Sequence, residues 1–516
     1  MIPPQLISFS PLGVTILFLI AAIWCRFVNA ERAGTVSASI TTIASLTTII
    51  AIVLYSMAGV VTTPAIGGGF LTFSSQLDPL NLIALSVVVF VGFVVVRFSR
   101  HYLDGNPRQA TFFAQLNLTL AAVSFLVTSG SLAQVVAGWI VTSFALHRLL
   151  LFYPDRPLAV VAARKKFWIA RLGDVCLAGG VLMIWQATSA TSISEINALA
   201  RAGAIESLPV ATLLIAIAAL LKCAQFPTHG WLTEVMETPT PVSALLHAGI
   251  VNGGGYLIIR FADVVVLSTG TLMLLVVVGG VSALFASLCM LTQTSIKRTL
   301  AYSTIAQMGF MMLQCGLGAF ASAALHLVAH SVYKAHSFLA SGDTVEHVRL
   351  RRMADSVAKP VSATTIALAT LLALAIYASL AATFNLLVDF PEGVIALGAT
   401  FVLGLAAFLS RGLQGRDVVL RTSLNAILST TVYFGLQALM IQLFTGQLPA
   451  AVSLSGATLV ITALLLIGFA IVSWLQFIAP RTQSRWFKRL YVALRNGLYI
   501  NDFSNRFAGV YRRVSE

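Results

Sequence analysis

Apolar runs of about 20 residues, almost free of charge, recur from one end of this 516-residue sequence to the other. A helix needs about 20 such residues to cross the hydrocarbon core of a bilayer. The runs are continuous and not alternating, which favours helices over the strands of a membrane barrel. The predicted fold class is therefore an all-α polytopic membrane protein with about 15 transmembrane helices. The fifteen runs lie near 5–25, 36–59, 79–98, 109–128, 131–150, 167–187, 209–226, 240–262, 268–291, 298–317, 319–341, 360–386, 391–410, 422–443 and 451–478.

The composition supports that class and excludes others. Only 10% of the residues are charged, against roughly 25% in a soluble domain, and 58% are hydrophobic. These values exclude a disordered chain and, despite a net charge of +14, a nucleic-acid binder. The five cysteines stand singly with no C-x-x-C pair, so neither an iron–sulfur site nor a disulfide framework is predicted. The first run has no basic residues before it, which indicates a membrane span and not a cleaved signal.

Lysine and arginine are concentrated on one side of the predicted membrane. The odd-numbered connections and the segment after the last run hold 27 of them, whereas the even-numbered connections hold only Arg201 and Arg260. Basic residues mark the cytoplasmic side of a membrane protein. We therefore expect a multi-pass protein of the cell inner (cytoplasmic) membrane, with its amino terminus outside and its carboxyl terminus in the cytoplasm.

The segment from about 480 onward combines basic residues with large apolar side chains at helical spacing. It predicts an amphipathic helix on the cytoplasmic side, for which two interpretations stay open. One is a helix lying on the anionic leaflet, the other is a docking surface for a cytoplasmic partner, and both can hold together. The apolar residues are Trp486, Phe487, Leu490, Tyr491, Leu494, Leu498 and Tyr499.

The seventh run contains a lysine close to a proline. Lys222 precedes Pro227 by five residues, and proline breaks a helix and frees carbonyl groups where a lysine could exchange protons. The alternative is a lysine that extends to the membrane surface. The stretch that follows holds Glu234 and Glu237 on the basic side, and His247 lies roughly 10 Å inside the eighth run at 1.5 Å per residue. Because ionisable residues surround His247, we interpret it as a proton relay, against the alternative of a core histidine.

The eleventh run carries the densest set of ionisable residues. His326, His330 and Lys334 follow one another at i, i+4 and i+8, so they share one helical face. Three interpretations are open: a zinc site, a structural polar seam, or a proton pathway. No third zinc ligand follows and a lysine takes the next position, which favours the proton pathway. His336 lies off that face, and its role in the pathway is less defined.

In the sixth run, Arg171 and Asp174 are three residues apart and can pair, either for structure alone or as part of a relay. No nucleotide, flavin or quinone signature is visible in the sequence, and no soluble catalytic segment interrupts the runs. We therefore expect neither metal nor cofactor in this chain, and a transporter subunit instead of an enzyme.

Three ordered motifs resemble the proton-conducting antiporter-like subunits, which include the distal membrane subunit of respiratory complex I and the large subunit of Mrp-type antiporters. They are LKCAQFPTHGWLTEVMETPTPVSALLHAGIVNGGGYLIIR, TSIKRTLAYSTIAQMGF and HLVAHSVYKAHSFLASG, and the match covers about 109–347. The resemblance implies two inverted five-helix repeats, 109–262 and 268–410. Helices of 1–108 precede them, and helices of 411–479 and the tail of 480–516 follow. Proton-carrying positions of the family match Lys222, His247, His326, His330 and Lys334, and its arginine–aspartate motif matches Arg171 and Asp174.

The sequence departs from that family at three points. Gly138 and Trp139 precede Ile140 where the family has glutamate, runs 12–14 contain no lysine, and no long lateral helix follows. Because runs 12–14 offer no buried lysine to receive a proton, we predict that protons turn to the cytoplasm where run 11 ends. The residues there are His336, Asp343, Glu346 and His347.

The reduced set is similar to the membrane subunit family (DabB) of DAB inorganic-carbon accumulation complexes. That resemblance implies a proton-conducting subunit of an energy-coupled CO2/bicarbonate uptake complex. Its large cytoplasmic partner (DabA-like) is expected to hold zinc in a site like that of β-carbonic anhydrases, and the ion gradient to drive CO2 hydration there. Two alternatives stay open: a proton-pumping subunit of a complex I-like redox complex, and an Mrp-type cation/proton antiporter subunit.

Overall fold

Helices dominate the computed structural model, which describes residues 10–342, 361–384, 392–412, 416–449, 452, 454–478 and 484–507. A helix coincides with each of the fifteen predicted runs. Within the described ranges, eleven helices are long and apolar enough to cross a membrane, and Ser10–Trp24 and Pro209–Lys222 are shorter apolar helices. The all-α membrane fold class is confirmed, while the total of fifteen crossings and the inverted repeats stay predictions.

Contacts divide the chain into two compact units. The first comprises Met1–Thr271, His326–Ser341 and Ile500–Glu516. Its helices are α1 (Ser10–Trp24), α2 (Ala30–Ala58), α3 (Pro79–Tyr102), α4 (Gln109–Val127), α5 (Leu132–Leu150), α6 (Pro157–Thr188), α7 (Ile193–Arg201), α8 (Pro209–Lys222), α9 (Gly230–Glu234), α10 (Thr240–Ala248), α11 (Gly253–Arg260) and α12 (Ala262–Val265).

The second unit comprises Leu272–Leu325 and Gly342–Tyr499. Two helices extend across the division between the units, α13 (Thr269–Met290) and α15 (Phe320–Leu339). The remaining helices of the second unit are α14 (Ile296–Gly316), α16 (Ala363–Thr383), α17 (Glu392–Gly412), α18 (Arg416–Leu443), α19 (Gly456–Ile478) and α20 (Arg485–Arg495), and α21 (Ile500–Phe507) belongs to the first unit. These units follow contacts and not the predicted repeats, so the repeat boundaries stay predictions.

A short hairpin precedes α3 and is anchored by a buried ion pair. Strand β1 (Val61–Thr62) pairs antiparallel with β2 (Gln76–Leu77). Asp78 then caps α3 by accepting a hydrogen bond from the Asn81 amide at 2.9 Å, and it also pairs with Arg260 of α11. Arg260 was predicted to lie in a connection, but it is buried because this carboxylate and the Ser129 carbonyl, at 3.2 Å, replace its water.

Helix α8 ends at Lys222, which corrects the predicted end of the seventh run at residue 226. The Gln225 amide donates to the Leu220 carbonyl at 3.0 Å and the Ala224 amide to the Leu221 carbonyl at 3.3 Å. Ala224 takes a left-handed conformation with φ of 53°. These are the bonds and the backbone of a Schellman motif, which ends a helix before the proline is reached. The predicted break is present, and it begins at Lys222 itself.

The eighth run is also interrupted, by a 3-10 turn at Ile250–Asn252 between α10 and α11. This turn packs against the end of α8, where the Cys223 thiol donates to the Val251 carbonyl at 3.2 Å. A Cβ added to Gly254 would overlap the Ala219 carbonyl oxygen and lie 2.6 Å from the Cys223 sulfur. Glycine at this position is therefore required by the close approach of α8 and α11.

The predicted helix of the tail is shorter than expected. Helix α20 ends at Arg495, and Gly497, Leu498 and Tyr499 all have positive φ. Leu498 and Tyr499 therefore do not continue the apolar stripe of α20, which corrects the prediction of one helical spacing through residue 499. Trp486 is 68% exposed. Both interpretations of the tail stay predictions: a helix that lies on the anionic leaflet, and a docking surface for a cytoplasmic partner.

Helix α21 belongs to the first unit, and two of its asparagines contact a partly buried ion pair. Lys165 of α6 and Glu234 of α9 lie 3.4 Å apart with side chains 12% and 19% exposed. The Asn505 amide nitrogen donates to Glu234 at 2.7 Å, while its oxygen accepts from Lys165 at 2.7 Å. Asn501 contacts the same two residues. Glu237, also predicted on the basic side, makes a more exposed pair with Arg156 at 3.2 Å.

Gly254→Ala should destabilise the protein by about 1–3 kcal/mol, because its methyl group has no room between α8 and α11. Gly253→Ala is the matched control, since its Cβ would meet Lys222 Cε at an ordinary 3.7 Å. The apparent melting temperatures of the two purified variants in detergent measure the difference. Equal melting temperatures would show that α8 and α11 are not packed this closely.

Glu234→Ala should detach α21, because it leaves Lys165, Asn501 and Asn505 without their common partner, a loss of about 1–3 kcal/mol. Trypsin cleavage after Arg506 should then become faster. Glu237→Ala removes an exposed pair, with side chains 51% and 40% exposed, and should change stability by less than about 0.5 kcal/mol. Unchanged cleavage in the Glu234 variant would contradict the docking of α21.

Candidate functional site

Lys222 points into the protein from the end of α8. Its ammonium nitrogen lies 4.4 Å from the centre of the Trp139 ring, a cation–π contact. Trp139 belongs to α5 and is buried, because Gly138 beside it lets α5 approach α4 at Leu126. This arrangement differs from the alternative in which Lys222 extends to the membrane surface.

A small cavity lies next to the Lys222 side chain. Its volume is about 20 Å³, and one water needs roughly 10–15 Å³ on this measure. Lys222, Asp174 and Lys166 are the ionisable residues that line it, with Trp139 and Trp231 among the others. The cavity is therefore large enough for one water.

Arg171 and Asp174 form the ion pair that their spacing predicts, at 2.7 Å. Arg171 also donates to the Ser143 hydroxyl at 3.0 Å and stacks on Phe144. Asp174 faces the cavity, and it is the one carboxylate among the cavity-lining residues. The family that this sequence resembles has a glutamate at the position of Ile140. In this chain, Asp174 is the carboxylate that lines the cavity at Lys222.

Lys166 is the main residue that sequence reasoning missed. The sequence predicts that it lies in a cytoplasmic connection, but α6 begins at Pro157, ten residues before the predicted run, and Lys166 is only 4% exposed. Its ammonium donates to the Ser143 carbonyl at 2.8 Å and to the Ser143 hydroxyl at 3.1 Å. A signal was present, since Lys166 and Asp174 are eight residues apart and so lie on one helical face.

The residues around the cavity, Lys222, Asp174, Lys166 and Trp139, form a first cluster. A second cluster surrounds His330 of α15. Its Nδ1 atom lies 3.0 Å from the Asn252 amide oxygen. The Asn252 nitrogen donates to the Ala248 carbonyl at 2.9 Å and to the Ser331 hydroxyl at 2.7 Å, which fixes its oxygen toward the histidine. His330 therefore donates from Nδ1, and in the neutral ring Nε2 is left as the proton acceptor. Asn252 and Ser331 were not predicted, although Asn252 lies inside the first of the three motifs.

The other predicted residues of α10 and α15 differ in how far they are buried in the protein. His247 is fully buried and stacks on Phe338 with ring centres 4.3 Å apart. Lys334 is fully buried, and the His326 ring lies 6.1 Å from the His330 ring. His336 is exposed, which agrees with its position off the shared face.

The turn at 250–252 joins the two clusters. A Cβ on Gly253 would lie 3.7 Å from Lys222 Cε, so the lysine stem passes beside this glycine. The preceding residue, Asn252, binds His330. Lys222 packs beside Gly253 and His330 hydrogen-bonds Asn252, so the two side chains contact consecutive residues of one interrupted helix.

Other ionisable groups lie outside this pair of clusters. Between α8 and α9, burial lowers the pKa of His229 to about 4, helped by the charge of Lys165, so this histidine is neutral near pH 7. No three His, Cys, Asp or Glu side chains form a metal site in the part of the chain that is described. Asp343 and Glu346, with His347, lie outside the described residues, so the predicted exit at the end of run 11 stays a prediction.

Comparison with known proteins assigns the family. The family described as NADH:quinone oxidoreductase/Mrp antiporter, TM, matches residues 129–402. A second one, NADH-Ubiquinone oxidoreductase (complex I), chain 5 N-terminus, matches residues 65–113. All three sequence motifs lie inside the first of these matches.

Individual relatives agree. The chain is 40% identical over 467 residues to "Probable inorganic carbon transporter subunit DabB2" of Halothiobacillus neapolitanus, covering 88% of this chain and 83% of the relative. It is 45% identical over 285 residues to "Probable inorganic carbon transporter subunit DabB" of Hydrogenovibrio crunogenus, 55% of each. In fold, it matches a chain of the Mrp complex from Dietzia sp. DQ12-45-1b with a TM-score of 0.66 at 21% identity, covering all of this chain and 60% of that one.

The resemblance inferred from the three motifs is thereby confirmed. A match over more than half of the chain, together with a relative aligned over most of both lengths, leaves the family in no doubt. The chain belongs to the NADH:quinone oxidoreductase/Mrp antiporter family of multi-pass membrane subunits, among the antiporter-like subunits related to DabB.

Proposed function

We propose that this chain is the proton-conducting membrane subunit of an energy-coupled inorganic-carbon uptake complex. The observation that carries the proposal is the pair of buried clusters, one at Lys222 and one at His330, joined at the 250–252 turn. Ionisable groups are costly inside a membrane and mark ion pathways. The carbon substrate is taken from the relatives at 40–45% identity, which are named inorganic carbon transporter subunits.

Lys222 is the group that loads and releases the proton. It lies at a helix end beside a cavity with room for one water, so a proton can leave its ammonium for that water without moving the backbone. Asp174, which lines the same cavity, stabilises the charged state. A lysine held between an aromatic ring and a carboxylate can therefore alternate between loaded and empty states.

The second cluster carries protons along α15. Asn252 holds the His330 ring so that Nε2 faces away from the amide as an acceptor. His326, His330 and Lys334 follow at intervals of about 6 Å along the helix axis, with His247 on the neighbouring α10. Ordered water is needed between groups at that spacing, since a direct hydrogen bond spans about 3 Å.

The partner and the location form part of the same proposal. The basic side of the chain faces the cytoplasm of a cell inner membrane, with the amino terminus outside and the carboxyl terminus in the cytoplasm. A large zinc-containing (DabA-like) subunit binds on that side and hydrates CO2, and proton flow makes the hydration one-way. This chain is a transporter subunit and not an enzyme, with the carbonic-anhydrase-like chemistry and the zinc in the partner.

The redox pump and the cation/proton antiporter are the alternatives, and the co-purifying subunits separate them. Iron–sulfur or flavin subunits would support a redox pump, and several small membrane subunits an antiporter. A large zinc-containing chain supports the proposal. Ile140 weighs against both alternatives, because a glutamate at this point usually faces the lysine in those subunits.

Lys222→Ala should abolish bicarbonate accumulation by cells that express the complex, while the partner still co-purifies. Lys222→Arg should also fail, because arginine keeps the charge and does not release its proton. Arg156→Ala, which alters an exposed pair, is the control and should keep uptake within about twofold of the wild type. Normal uptake by an assembled Lys222→Ala complex would refute the proposal.

His330→Ala and Lys334→Ala should each lower uptake at least about tenfold, because the loss of one group doubles a step of about 6 Å. Ser337→Ala is the matched control on α15, since its hydroxyl only bonds the Tyr333 carbonyl within the same helix. Isotope-labelled bicarbonate uptake by assembled complexes provides the measurement. Full activity of the His330→Ala, Lys334→Ala double variant would exclude α15 from the pathway.

A further inference from the structure

We infer that Lys166, Ser143 and His147 form a second proton path, which leads from the cavity at Lys222 to the basic end of α5 and α6. The inference rests on the proposed function, because it adds a route for the proton that Lys222 releases. Ser143, His147 and Lys166 lie outside the three sequence motifs, although the family match of 129–402 includes them. It would let the first cluster deliver protons to the cytoplasmic side without α15.

The first step of the path joins two lysines across the cavity. Lys166 and Lys222 line the same space of about 20 Å³. The one carboxylate of the lining, Asp174, is already paired with Arg171 at 2.7 Å. Two ammonium groups facing one such carboxylate repel each other, which favours the state in which the pair shares a single proton.

Transfer within the pair needs only one water. The ammonium of Lys222 gives a proton to the water, the water gives a different proton to the Lys166 amine, and the water is restored. No bond to carbon changes and no electron is transferred. Lys166 is held for this step, because its nitrogen bonds both the carbonyl and the hydroxyl of Ser143.

The second step runs from Lys166 to the end of α5. Ser143 and His147 are four residues apart and so lie on one face of α5, and His147 is three residues before the end of that helix at Leu150. The His147 ring lies 5.2 Å from the ring of Phe167, the residue that follows Lys166. His147 is partly exposed, whereas Lys166 is buried. It is therefore placed to exchange protons with the aqueous side.

The charged groups around His147 favour outward release. Lys166 and Arg171 of α6 lie within electrostatic range of its ring, and Arg148 is its neighbour on α5. The two arginines stay charged after Lys166 has passed on its proton, so a proton that reaches His147 is repelled toward the water and not held. The same cations would slow its entry from that side.

A purely structural role for Lys166 makes a different prediction. If the ammonium only anchors Ser143, any cation of similar length would serve, and Arg171 already bonds the same hydroxyl at 3.0 Å. Lys166→Arg keeps the charge and the hydrogen-bonding capacity but does not release a proton. This variant therefore separates anchoring from transfer.

The test uses the whole complex with its co-purifying subunits, in vesicles of phosphatidylethanolamine and phosphatidylglycerol that contain a pH-sensitive dye. Lys166→Arg and Lys166→Met should each lower the proton flux at least about tenfold, because neither side chain can take up a proton and release it again. His147→Gln should lower the flux and change its dependence on external pH, because the titratable side chain that exchanges protons with the aqueous side is lost. Arg164→Met, at an exposed position two residues before Lys166, is the matched control and should stay within about twofold of the wild type.

Wild-type flux in Lys166→Arg would overturn the inference, because the cation would then serve structure alone. If Lys166→Arg does not assemble, His147→Gln decides, and an unchanged flux and pH profile there would equally overturn it. Lys222→Ala tells the two proposals apart. A flux lost in Lys222→Ala but kept in the Lys166 and His147 variants refutes only this path, whereas a flux kept in Lys222→Ala refutes the proposed function and this path together.

Discussion

A charged side chain inside a bilayer is stable only where protein groups replace the water it has lost. Both clusters follow from that requirement. Lys222 is placed between an indole ring and a carboxylate-lined cavity, and Lys166 bonds a carbonyl and a hydroxyl of one serine. The interrupted helices supply the remaining polar groups, because the ends of α8 and α10 leave backbone atoms outside the regular helical bonds. The close packing at Gly254 holds the two interruptions together.

The sequence was sufficient for the apolar runs and for the residues that stand out within them. Lys222, His330 and Lys334 are charged or titratable in segments that are otherwise apolar, so each stands out from the sequence alone. Lys166 was missed for the opposite reason. It follows Lys165 and Arg164, so the local composition resembled a basic connection, and only the length of α6 shows that it is buried.

Neutral polar partners were also invisible to sequence reasoning. Asn252 and Ser331 carry no charge, and their importance depends on which helix faces which, a property of packing and not of local pattern. The docking of α21 could not be predicted from the sequence for the same reason. Asn501 and Asn505 lie 336 and 340 residues from Lys165 in the chain, and no periodicity within the tail predicts contacts over that separation.

The departures from the antiporter pattern describe one change in charge balance. This chain has Ile140 where the family it resembles has a glutamate, and its cavity holds one carboxylate, Asp174, with Lys222 and Lys166 as the cations and Arg171 paired to that carboxylate. In the proposed path, the proton of Lys222 therefore passes to a second amine and not to a glutamate. We expect this arrangement to favour release of the proton over storage of it.

The central claim is that the proton gradient drives inorganic-carbon uptake through this subunit. The direct measurement is the uptake of labelled bicarbonate by cells expressing the complex, after an uncoupler is added while ATP is held constant. The account predicts that uptake stops as soon as the gradient collapses. Uptake that continues without the gradient and ends only when ATP is exhausted would contradict it.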